Sequence, residues 1–186
     1  MVHPSSRRYE EHAYVLDFNP RGKSSTIRGK EGIIITAIGE DRLTLLEILG
    51  IPNTTFELGE KIFIGREGRT KVLSVLGKAN LDSLSPSAQG ELSRVVEIIV
   101  TDNEAKFIEY LNNAGPLTPR THALELIPGI GKTYMKTLLE ERERKKFESY
   151  ADLQDRVGLN DPISHISQRI LDELTGESRM NLFVKK

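Results

Sequence analysis

Residues Ala123–Leu139 read Ala-Leu-Glu-Leu-Ile-Pro-Gly-Ile-Gly-Lys-Thr-Tyr-Met-Lys-Thr-Leu-Leu. An apolar helical run ends at Ile127, a Pro-Gly-Ile-Gly turn follows, and a second run opens at Lys132. There Ile130, Tyr134 and Leu138 fall on one helical row and Met135 and Leu139 on the next. The stretch predicts a helix, a tight hairpin and a helix, and so a helical C-terminal half.

The chemistry of such a hairpin lies in its backbone. Gly129 and Gly131 have no Cβ and can take positive φ, so the chain turns sharply and another group can approach its amides. Those amides stand at the positive end of the second helix, among its unpaired N–H donors. A phosphate oxygen is the natural occupant. Lys132 and, one turn on, Lys136 add charge, Thr133 adds a hydroxyl, and Ile130 points inward and pins the turn. The expected site is therefore Gly129, Ile130, Gly131, Lys132, Thr133 and Lys136, gripping a backbone phosphate without reading a base. The plainer alternative is a tight connection between two packed helices.

At these residues the chain resembles the helix-hairpin-helix family of nucleic-acid-binding modules. The family's pattern is an apolar residue, Pro, Gly, apolar, Gly, then Lys or Arg opening a helix. Ile127, Pro128, Gly129, Ile130, Gly131 and Lys132 match it in order, and the likeness continues through Leu138, Leu139, Arg142, Phe147, Ser149, Asp152, Leu153 and Arg156 to Val157. Met135 departs from it, since the family usually has Ala there. Lyase-type DNA glycosylases share this hairpin, but their catalytic lysine falls where this chain has Thr133, which argues against base excision. Gly131-Lys132-Thr133 also imitates the end of a P-loop, but a P-loop needs glycine where Leu126 stands; Gly22-Lys23-Ser24 fails likewise at Asp17.

The first 77 residues read differently. Strands are predicted at about 13–18, at Ile33–Ile38 and Leu43–Leu49 as a hairpin around Gly39-Glu40-Asp41, at Lys61–Ile64, and at Lys71–Leu76. Five short strands with hardly any helix between them suggest a small barrel that hides both edges. Their order resembles an oligonucleotide-binding or S1-type barrel, with an SH3-like barrel as runner-up. Residues 19–32 form a loop carrying Arg21, Lys23, Arg28 and Lys30 among Gly and Ser, either a basic arm along a phosphate backbone or a solvated loop. Alternation turns Ile62 and Ile64 inward and Lys61 and Phe63 outward. A lysine beside an aromatic is what base stacking needs; the other reading has Phe63 closing the end of the barrel.

Between these halves, Ser85-Pro86 opens a helix with Leu92, Val95, Val96 and Ile99 on one face, although the β-branched residues from Val95 to Val100 also fit a strand. Thr101–Glu104 reads as a capping box, and Thr118-Pro119 as the cap of the short helix that precedes the hairpin. Ser149 caps a further helix ending at Gly158, and Asp161-Pro162 opens a last one that Gly176 closes. Residues Val157–Asp161 look like a weakened copy of the hairpin that completes the core and binds little. The tail Met180–Val184 is apolar enough to add a strand, leaving Lys185 and Lys186 beyond it.

The expected fold is thus α+β: a five-stranded β-barrel domain in residues 1–84, connecting helices in 85–116, and a helix-hairpin-helix domain with its tail in 117–186. This pairing is similar to an uncharacterised archaeal family predicted to bind nucleic acid, whose members tend to be encoded near ribosomal and transcription components. The resemblance implies RNA in preference to DNA.

Composition bounds the function further. The 186 residues carry 28% charged and 38% hydrophobic side chains and a net charge of −1, so the chain does not coat nucleic acid by bulk charge. With no cysteine there is no thiolate zinc site or cysteine nucleophile, and His3, His12, His122 and His165 show no metal-ligand spacing. Asp17, Glu40, Asp41 and Asp82 recur at no spacing that suggests an acid–base pair. We therefore expect a cytoplasmic, non-enzymatic protein with no cofactor, metal or membrane partner. Its partner would be nucleic acid; the alternative is a module assembling on ribosomal or transcription proteins.

Overall fold

The computed structural model describes residues 9–18, 25–27 and 29–185. Arg21, Lys23 and Arg28 of the expected basic arm, and Lys186 of the tail, lie outside them. The chain divides into two units, Met1–Val95 with Phe183–Lys186, and Val96–Leu182.

In the first unit β1 (His12–Phe18), β2 (Ser25–Ile27), β3 (Lys30–Gly39), β4 (Leu45–Gly50), β5 (Lys61–Phe63) and β6 (Val72–Lys78) form an antiparallel sheet. The strand order is β5-β1-β3-β4-β6, with β2 paired to β3 alone. The β-branched run Ile33–Thr36 suits the pleat, and alternate residues Ile33, Ile35 and Ala37 enter a core with Ala13, Val15, Ile48, Phe56, Ile62 and Val72. Tyr14, Leu16, Ile38 and Leu49 are buried as well, so neither face of the central strands reads as solvent-facing.

The sheet is not the closed barrel expected. The described ladders stop at β5 and β6, because β5 is three residues long and the chain leaves the sheet at Gly65 before β6 begins. Arg69 occupies the opening. Its guanidinium donates to the carbonyls of Ile64 (3.0 Å), Gly65 (2.7 Å) and Leu73 (2.9 Å), so one side chain bridges the end of β5 and β6 where a ladder would have run. The expected loop at 19–32 is also partly structured: Ile27 pairs with Lys30 across a turn at Gly29, so Lys30 begins a strand. The tail adds no strand. Phe183 is buried and the Lys185 amide donates to the Arg42 carbonyl (3.0 Å).

α1 (Pro86–Asp102) runs across the division between the units, and the β-branched residues Val95–Val100 are helical within it. In the second unit follow α2 (Glu104–Asn113), a two-strand ribbon β7 (Pro116–Thr118) and β8 (Thr121–His122), a 3-10 turn (Ala123–Leu126), α3 (Lys132–Arg144), α4 (Tyr150–Val157) and α5 (Pro162–Leu174). The expected capping box at Thr101 is absent. The Thr101 hydroxyl instead bonds the Glu97 carbonyl inside α1, and the Glu104 carboxylate accepts the Tyr150 amide (3.0 Å). Thr118-Pro119 likewise caps no helix but turns the ribbon, its Oγ1 accepting from the amides of Arg120 and Thr121. Ser149 and Asp161 do cap α4 and α5, accepting from Asp152 and Ser164, and Gly158 ends α4 in the left-handed region.

Two arginines fasten the helices to one another. Arg142 donates to the carbonyls of Leu111 and Ala114 at the end of α2 (3.0 and 2.7 Å). Arg156 lies over the Phe147 ring (4.5 Å) and donates to the carbonyls of Glu141 and Lys145 at the end of α3 (2.5 and 2.7 Å). Orphan C-terminal carbonyls are thereby satisfied by guanidinium groups in place of water. No helix among the described residues is long and apolar enough to cross a membrane.

Candidate nucleic-acid interface

The lead-in to the hairpin is shorter than the apolar run suggests. Four residues between His122 and Ile127 cannot complete a helix, so Ala123–Leu126 close as a 3-10 turn. His122 caps it by accepting the Leu124 amide at Nδ1 (3.1 Å), while the Glu125 carboxylate accepts the His122 amide (2.9 Å). Burial and then the Arg142 charge hold His122 below the ordinary histidine range, with Glu125 opposing them. The neutral ring that the cap requires is the favoured one.

Ile127, Pro128, Gly129 and Ile130 then form a β-turn. The Ile130 amide donates to the Ile127 carbonyl (3.0 Å), Pro128 holds the second position, and Gly129 has φ of 85°. Proline second and a positive φ third define type II. Ile127 and Ile130 are both buried and anchor the two ends of the turn.

The two glycines are there for different reasons. A Cβ on Gly129 would lie 2.2 Å from Nδ1 and 2.3 Å from Cε1 of His165, so that side of Gly129 is filled by the protein's own imidazole. A Cβ on Gly131 would meet nothing within 4 Å. Gly131 has φ of −80° and ψ of −177°, extended backbone open to any residue, and it gives α3 no side-chain cap. The first amides of α3, from Lys132 onward, therefore have no intrahelical partner and open on the clear side of Gly131.

The charge at this end of α3 is positive. Lys132 and Lys136 are exposed, one turn apart on the same helical row, and the first turn of α3 holds no acidic residue. Thr133 is exposed beside them. Structure thus gathers Gly131, Lys132, Thr133 and Lys136 at one helix start, with Ile130 beneath and Gly129 turned toward α5. The basic residues at the far end of α3 do not join them. Arg142 and Arg156 are engaged in the caps described above, Arg144 pairs with Glu141 (2.9 Å) and Lys145 with Glu148 (3.4 Å).

Lys61 and Phe63 belong to the first unit and are occupied. Lys61 pairs with Glu40 (3.1 Å) and lies 6.0 Å from the Tyr14 ring centroid. Phe63 is half-buried, meets the His12 ring edge-on at 5.2 Å, and has the backbone of Gly65 directly over it. Lys30 is exposed at the start of β3.

Three residues that hold the hairpin were not anticipated. His165 places Nδ1 2.8 Å from the Pro128 carbonyl and Nε2 3.1 Å from that of Asn160. One turn further along α5, buried Arg169 donates to the Leu126 carbonyl (3.1 Å), the Met180 carbonyl (2.5 Å) and the buried Glu173 carboxylate (2.9 Å). Glu173 also accepts the Leu182 amide (2.9 Å). A buried pair satisfied by backbone on both sides is held in one geometry, and breaking it by removing one partner is costly. The sequence signal was present in α5: Arg169 and Glu173 occupy positions in the apolar stripe Pro162, Ile166, Ile170, where an isolated charge would not survive.

Residues 9–185 match the family described as "Protein of unknown function (DUF655)". The chain is similar to "Uncharacterized protein MJ0038" of Methanocaldococcus jannaschii, 38% identical over 181 residues that cover 96% of this chain and 82% of that one. It is also similar to the crystal structure of Af1531 from Archaeoglobus fulgidus, described under the same family, with a TM-score of 0.80 and 33% identity over 95% of this chain and 100% of the other. With matches that run nearly from end to end, the chain belongs to the DUF655 family, which has members in archaea.

Proposed function

We propose that this protein is a non-enzymatic, cytoplasmic nucleic-acid-binding protein, RNA before DNA, that holds a backbone phosphate at the start of α3. The observation that carries the reading is the open side of Gly131. A glycine that the fold does not need, at the start of a thirteen-residue helix without a side-chain cap, leaves space where an anion would accept the α3 amides. Lys132 and Lys136 supply the charge and Thr133 a further donor. The neighbouring turn supports the helix-hairpin-helix likeness, although its first helix is reduced to a 3-10 turn.

The first unit supports an auxiliary contact. Its open antiparallel sheet, in the order β5-β1-β3-β4-β6, is read here as a part-open relative of the oligonucleotide-binding barrel. Lys30, exposed at the start of β3, is the described cation of the expected basic loop that this contact would use. The rival reading, an assembly module for ribosomal or transcription proteins, draws on the exposed apolar side chains Leu117, Tyr134 and Met180.

Fluorescence anisotropy with single-stranded RNA, duplex RNA and duplex DNA at two salt concentrations tests the proposal. Binding should weaken steeply with salt, and Lys132→Glu should lower both the affinity and the salt slope, by about one unit on duplex DNA. Binding that ignores Lys132 sends the search to a protein partner.

A further inference from the structure

We propose that His165 is the positioning residue of the hairpin: by holding the Pro128 carbonyl it selects the type II turn that brings the α3 amides to the phosphate. The inference rests on the phosphate reading above for its functional half, while its structural half stands alone.

Types I and II of a β-turn differ by a flip of the central peptide plane, here Pro128–Gly129. Proline second favours both types, and glycine third tolerates both, so the sequence Ile-Pro-Gly-Ile leaves the choice open. The carbonyl of Pro128 is the atom that swings to the other side on flipping. His165 Nδ1 lies 2.8 Å from it. Neutral imidazole donates from one nitrogen at a time, and the shorter contact is assigned the proton at Nδ1.

The ring has a fixed seat. It lies against the Cα of Gly129, in the space a side chain there would fill, and Nε2 faces the Asn160 carbonyl of the second hairpin. Its helix is anchored by buried Ile166 and Ile170, and Arg169 on the same row holds the Leu126 carbonyl two residues before Pro128. α5 thus grips the backbone on the near side of the turn at two carbonyls, and the far side runs directly into Gly131 and α3. The second hairpin, with no Gly-x-Gly of its own, has a task in this arrangement: it leads into α5, whose His165 and Arg169 hold the first one in its working form.

Two replacements separate this role from general packing. In Asn the amide nitrogen stands close to the position of Nδ1, and in Gln close to that of Nε2. His165→Ala and His165→Gln should release the Pro128 carbonyl, and His165→Asn should keep it. The turn is read by NMR through the stereospecifically assigned Gly129 three-bond HN–Hα couplings, which report the sign of φ, together with the Pro128 Hα–Gly129 HN NOE, strong in type II and weak in type I, with circular dichroism confirming the fold. Nucleic-acid affinity is read by anisotropy on the same samples. We expect the Gly129 couplings to average in the Ala and Gln variants and to stay native in Asn. The affinity should drop roughly fivefold in Ala and Gln, the equivalent of one ordinary hydrogen bond, and return in Asn. Native couplings in folded His165→Ala overturn the proposal whatever the affinity does. Averaged couplings with unchanged affinity overturn its functional half. If the wild type binds no nucleic acid, the phosphate reading and that functional half fall together, and the couplings alone decide whether His165 sets the turn.

Discussion

Replacing Gly129 and Gly131 in turn by alanine separates a glycine that the fold needs from one that a ligand needs. At position 129 alanine must hold φ near 85°, which costs about 1–2 kcal/mol for a residue with a Cβ. Its Cβ also lands 2.2 Å from His165 Nδ1, so the imidazole has to leave and the Pro128 contact, worth about 1 kcal/mol, is lost. The sum is about 2–3 kcal/mol of stability. At position 131 the backbone is extended and the added methyl meets nothing within 4 Å. Alanine there restricts the unfolded chain, a gain of about 0.4–1 kcal/mol, and is a poorer helix N-cap than glycine by a similar amount. The two nearly cancel, so stability should change by less than about 0.5 kcal/mol. Binding should respond in the opposite order. The methyl at 131 stands between the α3 amides and an approaching phosphate, and losing one charge-assisted hydrogen bond of about 1.5–3 kcal/mol weakens binding by roughly ten- to a hundredfold. Urea titrations give the first quantity and anisotropy with RNA the second. A Gly131→Ala protein that binds like the wild type, or that loses as much stability as Gly129→Ala, refutes the reasoning.

Three further outcomes follow from groups already described. Arg69→Ala removes donors to three carbonyls at the opening between β5 and β6 and should cost about 2–4 kcal/mol in urea unfolding, with Arg69→Lys recovering only part because a single ammonium cannot fork. His122, held low chiefly by burial, contributes stability above its ordinary range near 6.5 that is lost as the pH falls toward its lower folded value; the protection factor of the Leu124 amide, its exchange rate corrected for the intrinsic rate at each pH, should fall on acidification, and His122→Asn should abolish that dependence. Burial, with the charge of Glu173 behind it, raises Tyr110 to about 12, and burial with Glu104 raises Tyr150 as well. Stability should be complete below pH 10 and fall as the pH rises through about 12, and Tyr110→Phe should lessen the loss seen by circular dichroism.

What was legible in the sequence was what repeats locally. Ile33–Thr36 announced a strand by its β-branching, Ser149 and Asp161-Pro162 announced helix starts, and Pro128-Gly129-Ile130-Gly131 announced a turn into a helix. What stayed hidden depends on partners far away along the chain. His165 meets a carbonyl 37 residues back and Arg169 one 43 residues back, and neither contact leaves a mark on its neighbours in sequence. The Gly-x-Gly pattern looked like one device for ligand approach, because a sequence cannot say that the space beside Gly129 is already filled. Strand count likewise predicted closure, whereas closure depends on whether β5 is long enough to reach β6. The periodicity of Ala123–Leu126 fitted a helix, but a four-residue segment ending at a proline has no room to propagate one.

The guanidinium of Arg69 has a consequence beyond holding the sheet together. The carbonyls of Ile64, Gly65 and Leu73 are acceptors that a strand from another molecule would use to add itself at this opening. With those acceptors taken and a fixed positive charge set among them, an incoming backbone would have to displace a charged group to gain its first hydrogen bonds. The residue that fills the gap in the sheet thus also takes up the acceptors that edge-to-edge pairing at this opening would need.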